Sequence, residues 1–132
     1  MSGITDLSEL LKNMTPQLQE GEYVFCTVPD NQAIDIKDIL GSFREEEGIT
    51  LVLSRETADR LQLSYTYIAA WITLKVHSSL SAVGLTAAFS AALGREGISC
   101  NVVAAFYHDH IFVAKEDAEK AMEALKQLTT NN

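Results

Sequence analysis

Apolar side chains recur along the chain in two rhythms, every third or fourth residue in some stretches and every second in others, and the changes of rhythm divide it into elements. Leu7, Leu10, Leu11 and Met14 follow helical spacing behind a Thr5 cap and ahead of Pro16, which predicts a short amphipathic helix that needs a surface to cover. Glu20-Gly21 punctuates the chain. In residues 23–28, Val24, Cys26 and Val28 face one way and Tyr23, Phe25 and Thr27 the other, the pattern of a strand apolar on both faces. Pro29-Asp30-Asn31 is turn chemistry. Beyond it Ile36, Ile39, Leu40 and Phe43 predict a helix with Asp35 and Asp38 in its first turn, ending in the solvated run Arg44-Glu45-Glu46-Glu47. Gly48 would stop that helix, residues 49–53 form a strand, and Ser54 caps a short helix containing Ala58 and Leu61.

The second half repeats this order with better packing residues. In residues 68–76 the even positions Ile68, Ala70, Ile72, Leu74 and Val76 are apolar, with Trp71, Thr73 and Lys75 opposite, so one face is core. A polar connection, His77-Ser78-Ser79-Leu80-Ser81, leads to a helix whose Leu85, Ala88, Phe89 and Ala92 line one face while Ala87 and Ala91 keep the rest slim. Gly97 stops that helix and a strand runs over residues 98–106. Tyr107-His108-Asp109-His110 reads as a tight turn, with residues 111–113 returning as the second arm of a hairpin. The last helix carries Ala118, Ala121, Met122, Leu125 and Leu128 on one stripe and Glu116, Lys120, Glu123 and Lys126 outside.

Glu47-Gly48-Ile49-Thr50 and Glu96-Gly97-Ile98-Ser99 echo one another as apparent helix ends that open a strand, which suggests a duplicated strand-helix-strand unit. Such units, with antiparallel or mixed pairing and helices on one face, make an α+β fold of ferredoxin-like layout. A doubly wound parallel sheet is disfavoured by the hairpin around residues 107–110.

Length and composition narrow the function. At 132 residues the chain suits one domain or two small ones. No apolar run reaches the roughly 18 residues of a membrane span, and the first residues lack the pattern of an export signal, so a cytoplasmic protein without a membrane partner is expected. The net charge of −8 argues against nucleic acid, which wants clustered Lys and Arg. The acidity is concentrated in residues 1–66, with 12 acidic against 5 basic side chains; residues 67–132 hold 6 against 5. Cys26 and Cys100 lie in apolar strands outside any paired-cysteine spacing and read as buried free thiols.

Two constellations carry chemistry. His108 and His110 flank Asp109 and would project from one side of a strand, an arrangement open to metal binding or acid-base catalysis, although both uses want a further group that no local spacing supplies. The other is the loop of residues 77–81 before the helix start at Val83, Gly84 and Leu85. There serine hydroxyls and unpaired helix amides suit a carboxylate, while the same serines serve equally as helix caps.

The run from His77 to Val113, with Val83-Gly84-Leu85 opening the helix and Gly97-Ile98-Ser99-Cys100-Asn101-Val102-Val103 after it, resembles an ACT domain, and the chain as a whole is similar to a small stand-alone bacterial ACT-related protein ending its better-matched half in Tyr107-His108-Asp109-His110-Ile111-Phe112-Val113. The resemblance implies two ACT-like halves, a divergent one over residues 1–66 and an ACT domain over residues 67–132. It implies a regulatory rather than catalytic protein without a cofactor, and a homo-oligomer, simplest as a dimer. The effector would be a small molecule of amino-acid type, at His77, Ser78, Ser79, Leu80, Ser81, Val83, Gly84 and Leu85, facing Asn101 and Val102. The acidic residue that usually precedes the glycine in this family is replaced here by His77 and the serines, which leaves an α-ammonium group without an evident partner. The alternative readings are a metal-binding protein or enzyme built on His108, Asp109 and His110, and a ligand-free oligomerisation domain.

Overall fold

The computed structural model describes residues 7–76 and 84–130. They gather into two compact units, one of residues Glu20–Ala69 and the other of the described residues before Glu20 and after Ala69.

In the unit of residues 20–69, strands β2 (Tyr23–Val28), β3 (Gly41–Glu45) and β4 (Gly48–Ser54) pair antiparallel in the order β3-β4-β2, with Cys26 opposite Leu51 and Phe43 opposite Thr50. Beyond β2, Tyr23 and Val24 pair with Ala69 and Ile68. Helix α2 (Arg55–Arg60) starts at Ser54, whose side chain accepts the Thr57 N–H, and brings Ala58 onto a core of Val24, Cys26, Val28, Leu51 and Leu53. Of the two faces read in residues 23–28, Val24, Cys26 and Val28 turn inward, while Tyr23 and Phe25 are half-buried and Thr27 is exposed.

The helix expected from Ile36, Ile39, Leu40 and Phe43 does not form. Asp35 caps only a single 3-10 turn, Ile36–Asp38, and the chain then becomes β3. The helical spacing there had little to bury: Ile36 and Phe43 are 80% and 72% exposed, while Ile39 alone of the four packs against the core. Pairing with β4 satisfies the backbone instead, beginning with the Leu40 N–H on the Val52 carbonyl at 2.7 Å. Glu46 and Glu47 form the turn of the β3–β4 hairpin and are not a helix end. Gly48 opens β4 at φ +153°, where a Cβ would stand 2.7 Å from the Val28 carbonyl oxygen. Its resemblance to Gly97 is thus one of sequence only, since Gly97 does follow a helix, and the Glu-Gly-Ile echo does not mark equivalent positions.

The other unit contains α1 (Leu7–Asn13), β1 (Thr15–Leu18), β5 (Ile68–Lys75) from Ala70 onward, α3 (Leu85–Arg95), β6 (Cys100–Ala104), β7 (Asp109–Ala114) and α4 (Ala118–Thr130). Its strands lie in the order β1-β5-β7-β6, with β1 antiparallel to β5 and β6 antiparallel to β7. Strand β1 is a second departure from the sequence reading, in which Pro16 only closed the first helix. Pro16 sits within β1 opposite Leu74; a strand paired along one side tolerates a residue without an N–H.

One face of this sheet is core. Ala70, Ile72, Leu74 and Val76 alternate inward on β5, Ile111 and Val113 on β7, and they meet Leu10 and Leu11 of α1, Leu85, Phe89 and Leu93 of α3, and Ala118, Ala121 and Leu125 of α4. Burying each large side chain contributes about 1.5–3 kcal/mol, which supplies the surface that the short first helix requires. Helix α3 ends where the Gly97 N–H reaches the Gly94 carbonyl and the Ile98 N–H the Leu93 carbonyl, both at 3.0 Å, and the strand begins at Cys100 rather than Ile98. The hairpin turn falls at residues 105–108, two residues earlier than the sequence suggested, closed by the Ala105 N–H on the His108 carbonyl at 3.0 Å. Asp109 and His110 consequently belong to β7.

Candidate functional site

Of the residues expected to hold an effector, His77, Ser78, Ser79, Leu80, Ser81 and Val83 lie outside the described residues; Gly84, Leu85, Asn101 and Val102 are described. Gly84 is the N-cap of α3 in the left-handed conformation, φ +96°, with its carbonyl accepting the Ala88 N–H at 2.8 Å. A Cβ there would come 3.4 Å from Leu7 Cδ2, so the position combines a backbone form natural to glycine with close packing against α1. Leu85 is buried in the helix-side core, and Val102 is half-buried against the same core beside Cys100. These two side chains are committed to packing. Asn101 is exposed and alternates to the opposite side of the sheet, paired with Phe112. The helix start and the Asn101 side chain therefore occupy different faces of this unit.

That opposite face carries the histidine constellation. Trp71 Nε1–H donates to His110 Nδ1 at 3.0 Å, and Thr73 Oγ1 stands 3.2 Å from the same nitrogen. Gln19 Nε2 donates to Thr73 Oγ1 at 3.0 Å, which leaves the threonine hydroxyl proton for His110. An indole nitrogen can only donate, so Nδ1 must carry a lone pair and the imidazole proton resides on Nε2. The Trp71 ring also stacks on Phe112, centroids 6.3 Å apart and 21° between planes. Phe112 and Thr73 are both buried although they lie on the face away from the helices.

Burial holds His110 below its ordinary 6.5, with His108 adding to the effect and Asp109 opposing it. Burial likewise raises the Asp109 carboxyl, against the pull of His110 and His108. The rings of His108 and His110 are 6.5 Å apart, and His108 Nδ1 is buried without a hydrogen-bond partner among the described residues. Among those residues no three His, Cys, Asp or Glu side chains converge on a point that could hold a metal ion. The tautomer of His110 adds a positive reason: its one lone pair faces Trp71 and Thr73, and so is turned toward neither a metal ion nor a substrate. Cys26 is buried, its thiol pushed up by that burial, and Cys100 is half-buried; both are free thiols.

A feature without any local signal in the sequence is a cleft of about 580 Å³ in the unit of residues 20–69, lined by Glu20, Glu22, Tyr23, Arg55, Glu56 and Asp59 among others. Arg55 donates through Nη1 to Glu22 at 2.9 Å and through Nε to the Tyr65 hydroxyl at 2.8 Å, and Tyr65 in turn donates to Asp59 at 2.7 Å. The tyrosine hydroxyl first, and Glu22 after it, raise the guanidinium further above its ordinary range. Glu22 lies 33 residues before Arg55 in the chain, and only the fold brings that pair together.

Two ACT-domain family models match the chain, one over residues 2–70 and the other over residues 61–127. The chain belongs to the ACT domain family, whose modules are regulatory, and it consists of two ferredoxin-like halves with antiparallel strands and helices. It is similar, at 47% identity and a TM-score of 0.80, to a Vibrio cholerae protein of unknown function described as a possible transport protein, over 93% of this chain and 95% of that one. Its fold is also that of a C-terminal regulatory domain of aspartate kinase from Porphyromonas gingivalis, at 15% identity and TM-score 0.57 over 88% and 96% of the two chains. The regulatory subunit of aspartate kinase from Thermus flavus is comparable, at 12% identity and TM-score 0.57 over 88% and 96%. No curated protein matches the sequence. No helix among the described residues is long and apolar enough to cross a membrane.

Proposed function

We propose that the protein is a non-catalytic cytoplasmic regulator that binds an amino acid or a related small carboxylate and acts as a homodimer, without a cofactor. The observation that carries this reading is the pair of ACT halves spanning one short chain, read as a divergent half over residues 1–66 and an ACT domain over residues 67–132. Regulatory parts of aspartate kinases share the fold. The effector site is assigned to the loop His77, Ser78, Ser79, Leu80, Ser81 and Val83 and the α3 start at Gly84 and Leu85, with the Asn101–Val102 stretch of β6 contributing through its backbone. Glycine at residue 84 supports the reading, because it lets a ligand approach the first amides of α3 closely, where unpaired N–H groups and the helix dipole favour a carboxylate.

The rival reading, a metal site or enzyme at His108, Asp109 and His110, is disfavoured by the engaged lone pair of His110. A thermal-shift screen of the intact protein against the common amino acids and divalent metal ions tests both. A ligand of the native state present at about 100 times its Kd contributes roughly 2.7 kcal/mol of stability. The expected outcome is a rise in Tm with one amino acid or small carboxylate and none with metals. A rise with a metal alone overturns the proposal, and no rise with any compound favours an oligomerisation domain without a ligand.

A further inference from the structure

We propose that His110 is a proton-operated latch between β5 and β7: neutral, it holds the Trp71 indole against the sheet, and protonated, it releases it. The reason is the direction of the hydrogen bonds. Nδ1 of His110 accepts from Trp71 Nε1–H at 3.0 Å and faces the Thr73 hydroxyl at 3.2 Å. A proton added at Nδ1 turns the acceptor into a donor, so two N–H groups then point at one another across the former bond. Thr73 can reverse its hydroxyl and accept, though it already accepts from Gln19. Trp71 has no such choice, since indole nitrogen never accepts, and the ring must leave.

The surroundings favour a discrete response. On β5 the groups facing His110 are Trp71 and Thr73, with Lys75 two residues further along the same side. On β6 the residue opposite is Val103, and no residue of Cys100–Ala104 is charged. Beyond β1 the contact to Thr73 comes from uncharged Gln19. On β7 itself Asp109 precedes His110, and His108 lies on the same side with its ring 6.5 Å away. Among the described residues a proton on His110 therefore finds one nearby carboxylate, one nearby imidazole that repels it when charged, the Lys75 ammonium further along β5, and otherwise neutral groups. Trp71 is half-buried rather than enclosed, which leaves its ring room to swing outward from Phe112. The latch stands independently of whether the loop of residues 77–83 binds an effector.

Trp71 is the one tryptophan in the chain, so its emission reports the latch directly. The test is a titration of tryptophan fluorescence and far-UV circular dichroism from about pH 8 to about pH 5, the range in which imidazoles exchange protons, on the native protein and on His110→Gln and His108→Gln variants. The indole N–H resonance, followed by NMR over the same range in the native protein, gives a second reading should His110→Gln not fold. The expected result is an emission change with a midpoint below the ordinary imidazole value at constant circular dichroism, present in the native protein and in His108→Gln and absent in His110→Gln. The indole N–H signal should move over the same interval. A flat native titration, a change that persists in His110→Gln or vanishes in His108→Gln, a change that coincides with loss of circular dichroism, or an indole signal that does not respond overturns the latch.

Discussion

Glu22 and Arg55 hold each other twice: the Glu22 carbonyl accepts the Arg55 backbone N–H at 2.9 Å, and the Glu22 carboxylate accepts Nη1 of the same arginine at 2.9 Å. The first bond ties the approach to β2 to the start of α2, and the second sits over the cleft beside it. The two differ in worth because the side chains are 40% and 38% exposed. An exposed pair is screened by water and salt and contributes about 0–1 kcal/mol. Glu22→Gln, which keeps the backbone bond, should therefore change stability by less than about 1 kcal/mol, and the difference should shrink at high salt. Urea unfolding of both proteins at low and high ionic strength reads this, and a loss several times larger would mean that Glu22 is organising the whole cleft.

Gly48 makes a sharper demand. Its φ of +153° and the 2.7 Å gap from a would-be Cβ to the Val28 carbonyl oxygen leave no space for a methyl group, and the obstacle is backbone that cannot rotate away. Gly48→Ala should cost about 1–3 kcal/mol, as residues forced into sparsely populated backbone regions do, whereas Gly94→Ala should be neutral or stabilising, because nothing stands near its Cβ position and a helix interior prefers alanine. Thermal unfolding of the two variants side by side decides this; equal Tm values would remove the steric argument.

The contrast shows what the sequence could reveal. Leu85 and Phe89 on α3, the even positions of β5 from Ala70 to Val76, and the stripe of Ala121 and Leu125 on α4 were legible because each element buries one face, and burial leaves a period in the sequence. Ile36, Ile39, Leu40 and Phe43 misled because their spacing is helical while three of them, Ile36, Leu40 and Phe43, stay exposed; periodicity reports burial, and there was little to report. Strand β1 was invisible because four residues carry no period and Pro16 reads as a stop. Which surface α1 covers cannot be read from its own stripe, since Leu10 and Leu11 meet residues more than seventy positions away. The histidines were legible as a constellation, but the tautomer of His110 depends on Trp71, whose distance in sequence hides it.

The depressed proton affinity of His110 has a consequence for stability. Its folded-state value lies below the ordinary 6.5, so the unfolded chain takes up the proton first, and stability is lost as pH falls from about 6.5 toward the folded value. Asp109 has the opposite sign: its carboxyl is raised above 3.8 in the folded state, so its contribution is lost as pH rises from that value through the raised one. Near neutral pH both groups are past their transitions and stability should be flat. Denaturant midpoints should then decline below about pH 6.5 in the native protein, and the decline should be reduced in His110→Gln. An equal decline in both proteins would assign it to other groups.

The remaining prediction concerns how copies meet. Strand β6 pairs with β7 on one side and stands at the end of its unit's strand order, so among the described residues its other backbone edge is unpaired. Natural edges are usually guarded by charge, proline or a bulge, yet residues 98–108 contain no Asp, Glu, Lys or Arg. Val103 is 50% exposed on this strand, and Phe106 and Tyr107 are 82% and 78% exposed at the adjoining turn. For a chain of net charge −8, most of the surface repels a second copy, and an uncharged edge is where that repulsion is weakest. Antiparallel pairing of β6 with the same strand of another copy forms a two-fold contact in which each residue meets its own equivalent set. Sedimentation should accordingly give a dimer for the native protein and a monomer for Val103→Lys, which sets two like charges close together across the two-fold while leaving circular dichroism unchanged, because an exposed side chain contributes little to the fold. A native protein that sediments as a monomer at every accessible concentration rules out the dimer, and a dimer indifferent to Val103→Lys transfers the contact to another surface such as the exposed Ile36, Leu40 and Phe43 beside β3.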